Sequence, residues 1–250
     1  MTQPRIVGID SWSQSTEEIL QTAARLMRQA PAFHGRYFHG PSNKAPEFDN
    51  AHCEPALARH GIRVVPVLRQ TNRVGGSRAM GNEDGRSNAL DILDAFGEQY
   101  LRDSCVKVRA FLDVEGDGPS HLSKEYYLGL CEGLEEVASD LFWPCVYGIP
   151  GDNTTWTALA RAMDEGAPCH GAWLSHPYVT NYVASHEPIP WAPGMLNPYP
   201  LAARVPVLFW QYGFPSKYAP APEQFDRNMV NPEFADASGI LKTLPVPIVR

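Results

Sequence analysis

Three acidic residues follow a run of apolar residues in the stretch VRAFLDVEGDG, residues 108–118. Alternate residues of a β-strand point to the same side, so Asp113 and Glu115 are predicted to face one direction, with Cα atoms roughly 7 Å apart. Ionised carboxylates this close repel each other, which raises one pKa and keeps that group protonated near neutral pH. A protonated carboxylic acid beside an ionised one is suited to general acid catalysis. Asp117 lies in GDGPS, a sequence typical of turns, and is interpreted as structural.

A D-x-E pair on its own has a second interpretation, as a helix cap or a partner in surface ion pairs. For an isolated pair this is the more frequent case. The choice therefore depends on which other side chains the fold brings to the same place.

Short apolar runs alternate along the chain with apolar residues at helical spacing. Strands are predicted in residues 5–10, 35–40, 62–68, 106–115, 144–149, 171–176, 205–213 and, as a short last strand, within 222–230. Residues 71–87 are interpreted as a polar, glycine-rich loop before a helix marked by Ala89, Leu93, Phe96 and Tyr100. Strands that alternate with helices predict parallel βαβ units.

Seven or eight such units in 250 residues favour an α/β fold: a single modified (β/α)8 TIM-type barrel with degraded last helices. An open nucleotide-binding sheet is disfavoured because no glycine-rich phosphate loop follows the first strand. We expect one domain over residues 1–250, with a proline-rich insertion at about 177–204. The C-terminal tail, about 231–250, is expected to lie on the surface.

In a barrel of this kind the C-terminal ends of the strands form one face, where chemistry is concentrated. The side chains predicted there are acids, aromatic rings and amides, with one arginine: Asp10, Trp12, Arg36, Gln70, Asp113, Glu115, Tyr147, Trp173, Gln211, Tyr212, Asp226 and Asn228. Carboxylates can catalyse glycosidic bond cleavage, rings can stack on sugars and amides can bind hydroxyls. The combination favours a carbohydrate cleft, although Trp173 taken alone is more often a core residue.

The motifs GIDSWSQ, FLDVEGD, AWLSHPY, FWQYG and FDRN occur in this order. The series resembles glycoside hydrolase family 25, the Chalaropsis-type lysozymes, and a related glycoside-hydrolase-like domain of unknown function. The resemblance spans about residues 6–230 and implies N-acetylmuramidase activity on the β-1,4 links of peptidoglycan. It implies that Glu115 is the general acid and that Asp113, Asp10 and Asp226 are its companion carboxylates. The segment SWSQSTE matches the family only loosely.

The amino-acid composition limits the classes of partner that the protein is expected to bind. The net charge of −7 argues against nucleic acid, and the lack of a long apolar run argues against membrane insertion. Five cysteines without CxxC spacing, and histidines without HxH or HExxH spacing, predict neither a disulfide framework nor a metal site, and we expect no cofactor. We expect a monomer that binds a polysaccharide such as a peptidoglycan glycan strand.

The N-terminus lacks the pattern of a secretory signal, so we expect synthesis in the cytoplasm and release by a phage-type or effector route. Two alternatives to a muramidase stay open: a non-catalytic carbohydrate-binding barrel and a hydrolase of another polysaccharide. A metal-dependent deacetylase is less favoured because paired histidines are missing.

Overall fold

The computed structural model describes residues 5–11, 15–39, 50–69, 72–114, 121–175, 190–191, 204–215, 220–234 and 239–247. In this part of the chain eight strands close into a barrel in sequence order. The strands are β1 (Val7–Asp10), β2 (Phe33–His39), β3 (Arg63–Arg69), β4 (Val108–Val114), β5 (Phe142–Gly148), β6 (Ala172–Leu174), β7 (Val207–Gly213) and β8 (Asp226–Val230). The helices are α1 (Glu17–Met27), α2 (Asn50–Arg59), α3 (Arg78–Phe96), α4 (Glu98–Ser104), α5 (Lys124–Val137) and α6 (Asn153–Asp164). The predicted TIM-type barrel is confirmed.

The last strand runs against the others. Strands β1 to β7 pair in parallel, whereas β8 is antiparallel to both β7 and β1. In the connection from β7 to β8 the described residues contain only a short 3-10 helix, Ala221–Glu223, where a parallel pair needs a crossover, usually an α-helix. The chain therefore re-enters the barrel from the end at which β7 finishes, and β8 begins rather than ends at that face.

Helix α3 begins inside the segment that the sequence predicted as a glycine-rich loop, residues 71–87. Its glycines lie against glycines of α5. A Cβ atom on Gly81 would lie 2.0 Å from the carbonyl oxygen of Tyr126, and one on Gly129 would lie 1.9 Å from that of Arg78. Each of the two glycines is followed, four residues on, by a second one at the same interface. These glycines allow two helix backbones to touch, and they are not turn residues.

The C-terminal segment closes the N-terminal end of the barrel instead of lying on the surface. Ile240 and Leu244 are buried and belong to the same apolar cluster as the rings inside the barrel. Arg63, the first residue of β3, donates hydrogen bonds to the carbonyl oxygens of Leu241 and Leu244, each at 2.8 Å. The C-terminal ends of strands β1 to β7 lie at the opposite end. No helix within the described ranges is long and apolar enough to cross a membrane.

Candidate functional site

Asp10 is the last residue of β1 and is 1 % exposed. Val7 and Ile9 pack in the layer between barrel and helices, so strand alternation directs Asp10 into the lumen. There the Tyr37 hydroxyl donates to Oδ1 at 3.2 Å, and the Asn228 amide donates to Oδ2 at 2.7 Å. The carboxylate is therefore held on both oxygens, by residues of β2 and β8.

Burial raises the pKa of Asp10 from 3.8 to about 6, and the hydrogen bonds from Asn228 and Tyr37 partly oppose this rise. Both donors are neutral, and no cation is paired with Asp10 in the part of the chain that the structure describes. With a pKa of about 6, Asp10 is mainly ionised at pH 7 and becomes protonated in mildly acidic solution. A carboxylate with a pKa in this range can change its charge under physiological conditions.

Gly35 makes the close packing around Asp10 sterically feasible. It is the register partner of Asp10 on β2, and a Cβ atom there would lie 2.7 Å from Asp10 Cβ and 2.7 Å from Cη2 of Trp173. Any larger residue would displace the indole ring or the carboxylate. The glycine therefore lets the edge of Trp173 approach β1.

Two amides of neighbouring strands each accept a hydrogen bond from an aromatic side chain. The indole Nε1 of Trp173 donates to Asn228 Oδ1 at 3.0 Å, and the Tyr147 hydroxyl donates to Gln211 Oε1 at 2.7 Å. Gln211 and Asn228 are register partners on β7 and β8. All four residues are predicted site residues, and the structure brings them together inside the lumen.

Trp173 is fully buried, and other rings surround it. Its ring centroid lies 4.5 Å from that of Tyr147, 5.7 Å from that of Phe111 and 5.5 Å from that of Phe209. In this structure the indole is part of the packed interior, so it offers no free face on which a sugar could stack. The polar interaction of Trp173 is the hydrogen bond from its indole N–H to Asn228.

Asp113 lies near the end of β4 and is 4 % exposed. It shares the lumen-facing side of the strand with Phe111 and is the register partner of Tyr147. Asp226 is partly exposed at the start of β8, in register opposite Asp10. Three predicted carboxylates thus lie at the same end of the barrel. The predicted residues Glu115, Gln70 and Trp12 lie outside the described residues.

Arg36 and Tyr212 lie on the opposite face of their strands from the lumen residues, so the structure does not bring these two predicted site residues together with the others. The Arg36 guanidinium lies 5.0 Å from the ring centroid of Phe38 and 6.0 Å from that of Phe96 on α3. Tyr212 packs beside Trp210 in the layer outside the barrel. Each is adjacent in sequence to a lumen residue, and neighbouring strand residues face opposite sides.

Sequence reasoning missed Tyr37, which is the lumen residue next to Arg36. The signal was available, because the strand GRYFHG alternates and a choice between its two faces decides which side chains reach the lumen. The apolar Phe33, two residues before Gly35, packs inside the barrel and sets that alternation. Among the residues that the structure describes, no group of three or more His, Cys, Asp or Glu side chains could hold a metal ion.

Neither a protein-family model nor a curated protein matches this sequence. Among solved structures, the chain is similar to an uncharacterized protein from B. stearothermophilus, with a TM-score of 0.66 and 19% identity over 96% of this chain and 100% of that one. It is also similar to the modular autolysin LytC from Streptococcus pneumoniae, with a TM-score of 0.54 and 12% identity over 92% of this chain. LytC in complex with a synthetic peptidoglycan ligand matches at 13% identity.

This chain spans 48% of the LytC chain, about half its length. At identities this low, the likeness shows that the barrel fold is shared. The chain therefore shares a barrel fold with these proteins, and its chemistry must be argued from its own residues.

Proposed function

We propose that the protein is a glycoside hydrolase that cleaves the β-1,4 bonds between N-acetylmuramic acid and N-acetylglucosamine in peptidoglycan. The observation that carries the proposal is the buried Asp10 carboxylate, held on both oxygens by Tyr37 and Asn228. Asp113 and Asp226 lie at the same end of the barrel. The motif series supports the reaction, and the fold shared with an autolysin supports the substrate.

Cleavage of a glycosidic bond needs one proton donor and at least one ionised carboxylate. In this proposal Glu115 protonates the leaving oxygen, as the D-x-E motif implies. Ionised Asp10 stabilises the positive charge that develops at the anomeric carbon, or orients the attacking water. A fixed carboxylate in a water-poor environment suits this role, because it needs no rearrangement as the charge develops.

The test is mass spectrometry of the soluble products released from purified peptidoglycan. The native protein is compared with Glu115→Gln and with Glu98→Gln, a control in which the exposed glutamate pairs with Arg102 on the same helix. Products that end in reducing N-acetylmuramic acid are expected from the native protein and from the control. They should be absent with Glu115→Gln.

Two other outcomes would overturn the proposal. If no wall preparation yields products while glycan strands still bind, the barrel is a carbohydrate-binding protein. If a panel of other polysaccharides yields products and peptidoglycan does not, the enzyme hydrolyses a different glycan.

A further inference from the structure

The side chain of Asn228 lies between an indole and a carboxylate. Trp173 Nε1 donates to Asn228 Oδ1 at 3.0 Å, and Asn228 Nδ2 donates to Asp10 Oδ2 at 2.7 Å. All three residues are almost completely buried. We call these residues the Trp173–Asn228–Asp10 triad.

The chemistry of the two end groups allows only one orientation of the amide. An indole N–H is a donor only, and an ionised carboxylate is an acceptor only. Rotating the Asn228 amide by half a turn would bring its NH2 group against the indole N–H and its carbonyl oxygen against the carboxylate. Both contacts would then be repulsive, and buried polar groups without partners are strongly unfavourable.

We infer that Trp173 is a positioning residue, which fixes the Asn228 amide so that its N–H always faces the Asp10 carboxylate. The inference rests on the proposed function for what the held carboxylate does in catalysis. Trp173 itself contacts no substrate in this scheme. It acts through Asn228.

The indole can fix the amide because the surroundings fix the indole. Rings of Tyr147, Phe111 and Phe209 pack around it with centroids 4.5 to 5.7 Å away. Gly35 provides the space into which the ring edge fits beside β1. A tightly packed ring holds its N–H in one direction, so the orientation of Asn228 is set by the barrel core.

The adjacent amide provides an internal control. Gln211 accepts from Tyr147 in the same way, but no hydrogen bond links it to Asp10. Tyr147→Phe therefore removes a bond of the same kind from the neighbouring strand without breaking the Trp173–Asn228–Asp10 triad. Tyr37 on β2 and Asp226, opposite Asp10 on β8, are titratable groups beside Asp10. The same two strands also carry His34 and Arg36 on β2 and Arg227 on β8.

The first experiment uses the native protein. The indole N–H resonance of Trp173 is followed by NMR between pH 4 and 8, with Trp173→Phe used to assign it. Because hydrogen bonds in series polarise each other, the resonance should shift with a midpoint near the pKa of Asp10, about 6. The shift should vanish in Asp10→Asn. An indole resonance that does not respond to pH would overturn the inference.

The second experiment measures the titration of the Asp10 carboxyl carbon in variants. Asn228→Leu should raise the pKa of Asp10 by about one unit, the size expected when a charged group loses one hydrogen bond. Trp173→Phe should raise it by less, because the Asn228 amide remains but is no longer held by the indole. The double variant should show no further rise, because Trp173 acts only through Asn228. Tyr147→Phe should leave the titration unchanged.

Additive effects of the two substitutions, or an unchanged titration in folded Trp173→Phe, would mean that Trp173 is only a core residue. Should Trp173→Phe fail to fold, the native indole titration decides, with the Trp173 resonance assigned by through-bond and through-space NMR of the native protein instead of by the variant. Neither readout needs glycan cleavage. If the triad titrates as expected and no glycan is cleaved, the proposed function fails and the positioning of Asp10 stands.

Discussion

The protein has two buried aspartates that can be compared. Asp10 lies in the barrel lumen and Asp84 in the interface between α3 and α5, and their carboxylates have similar surroundings except for one hydrogen-bonding or charged partner. Each accepts a hydrogen bond from a tyrosine hydroxyl, Tyr37 at 3.2 Å for Asp10 and Tyr126 at 2.7 Å for Asp84. Burial raises the pKa of both carboxyls. The two sites differ in what faces the other carboxylate oxygen.

At Asp84 this partner is a guanidinium, Arg73 Nη1 at 3.1 Å from Oδ1, whereas at Asp10 it is the neutral amide of Asn228. The positive charge opposes the rise in the pKa of Asp84 and compensates its negative charge. Asp84 therefore acts as a structural ion pair that joins the segment before α3 to the helix interface. Asp10 keeps a charge that no cation neutralises in the described part of the chain, and such a charge is available for chemistry.

The largest expected difference between the two sites is in catalysis. Asp10→Asn should lower turnover of peptidoglycan by about 100- to 1,000-fold, since a preorganised charge is lost. Asp84→Asn should leave turnover of the folded protein unchanged but destabilise it by about 3 kcal/mol, since it breaks a buried ion pair. Turnover and urea unfolding of both variants are the measurements. A loss of turnover in Asp84→Asn at native stability would contradict the assignment.

The helix interface that contains Asp84 should be intolerant of added volume. Gly129→Ala places a methyl group 1.9 Å from the backbone oxygen of Arg78, so α3 and α5 must separate. We expect a loss of about 3 kcal/mol in the free energy of unfolding. Gly151→Ala is the control, because a Cβ atom there meets nothing within 4 Å. Equal stability of the two variants would show that the interface adjusts freely.

The raised pKa of Asp10 predicts the direction in which the stability of the folded protein changes with pH. The folded protein binds the Asp10 proton more tightly than the unfolded chain does, so stability falls as pH rises from 3.8 to about 6 and the loss is complete above that pH. A pKa unit corresponds to about 1.4 kcal/mol, which gives a loss on the order of 2–3 kcal/mol. Asp10→Asn lacks this loss.

Chemical unfolding of the native protein and Asp10→Asn between pH 4 and 7 measures this effect. The stability of the variant relative to the native protein should increase with pH over this range. A constant difference would show that Asp10 titrates in the folded protein as it does in the unfolded chain.

The smallest effects are expected from removing the two matched hydroxyl groups. Tyr126→Phe should lower stability by about 1–2 kcal/mol, as expected for a lost bond to a charged group, with no change in the pH profile of activity. Tyr37→Phe should raise the pKa of Asp10 and move the acid limb of activity upward by about half a unit. A shift of the acid limb with Tyr126→Phe instead would reverse the roles of the two sites.

The sequence determined those features that depend on local spacing. Alternating apolar runs and helical periods predicted eight strands and a barrel, because both patterns arise from the geometry of single elements. The positions of Asp10 and Asp113 at strand ends follow from the same patterns. Strand alternation also excludes Arg36 and Tyr212 from the lumen once one lumen residue of each strand is known.

Other features were decided only by tertiary structure, because they depend on partners far away in sequence. Residues 78–87 of the predicted glycine-rich loop form the start of helix α3, and they pack closely on α5 because α5 has glycines at the same interface. The direction of β8 depends on the end of the barrel at which β7 finishes. The closure of the other end by residues 239–247 depends on contacts with distant strands, such as the bonds from Arg63 of β3 to Leu241 and Leu244. The role of Trp173 depends on Asn228, 55 residues later, which links it to Asp10 near the N-terminus. Sequence spacing predicts which way a side chain points on its own strand, and only the closed barrel determines what it meets there.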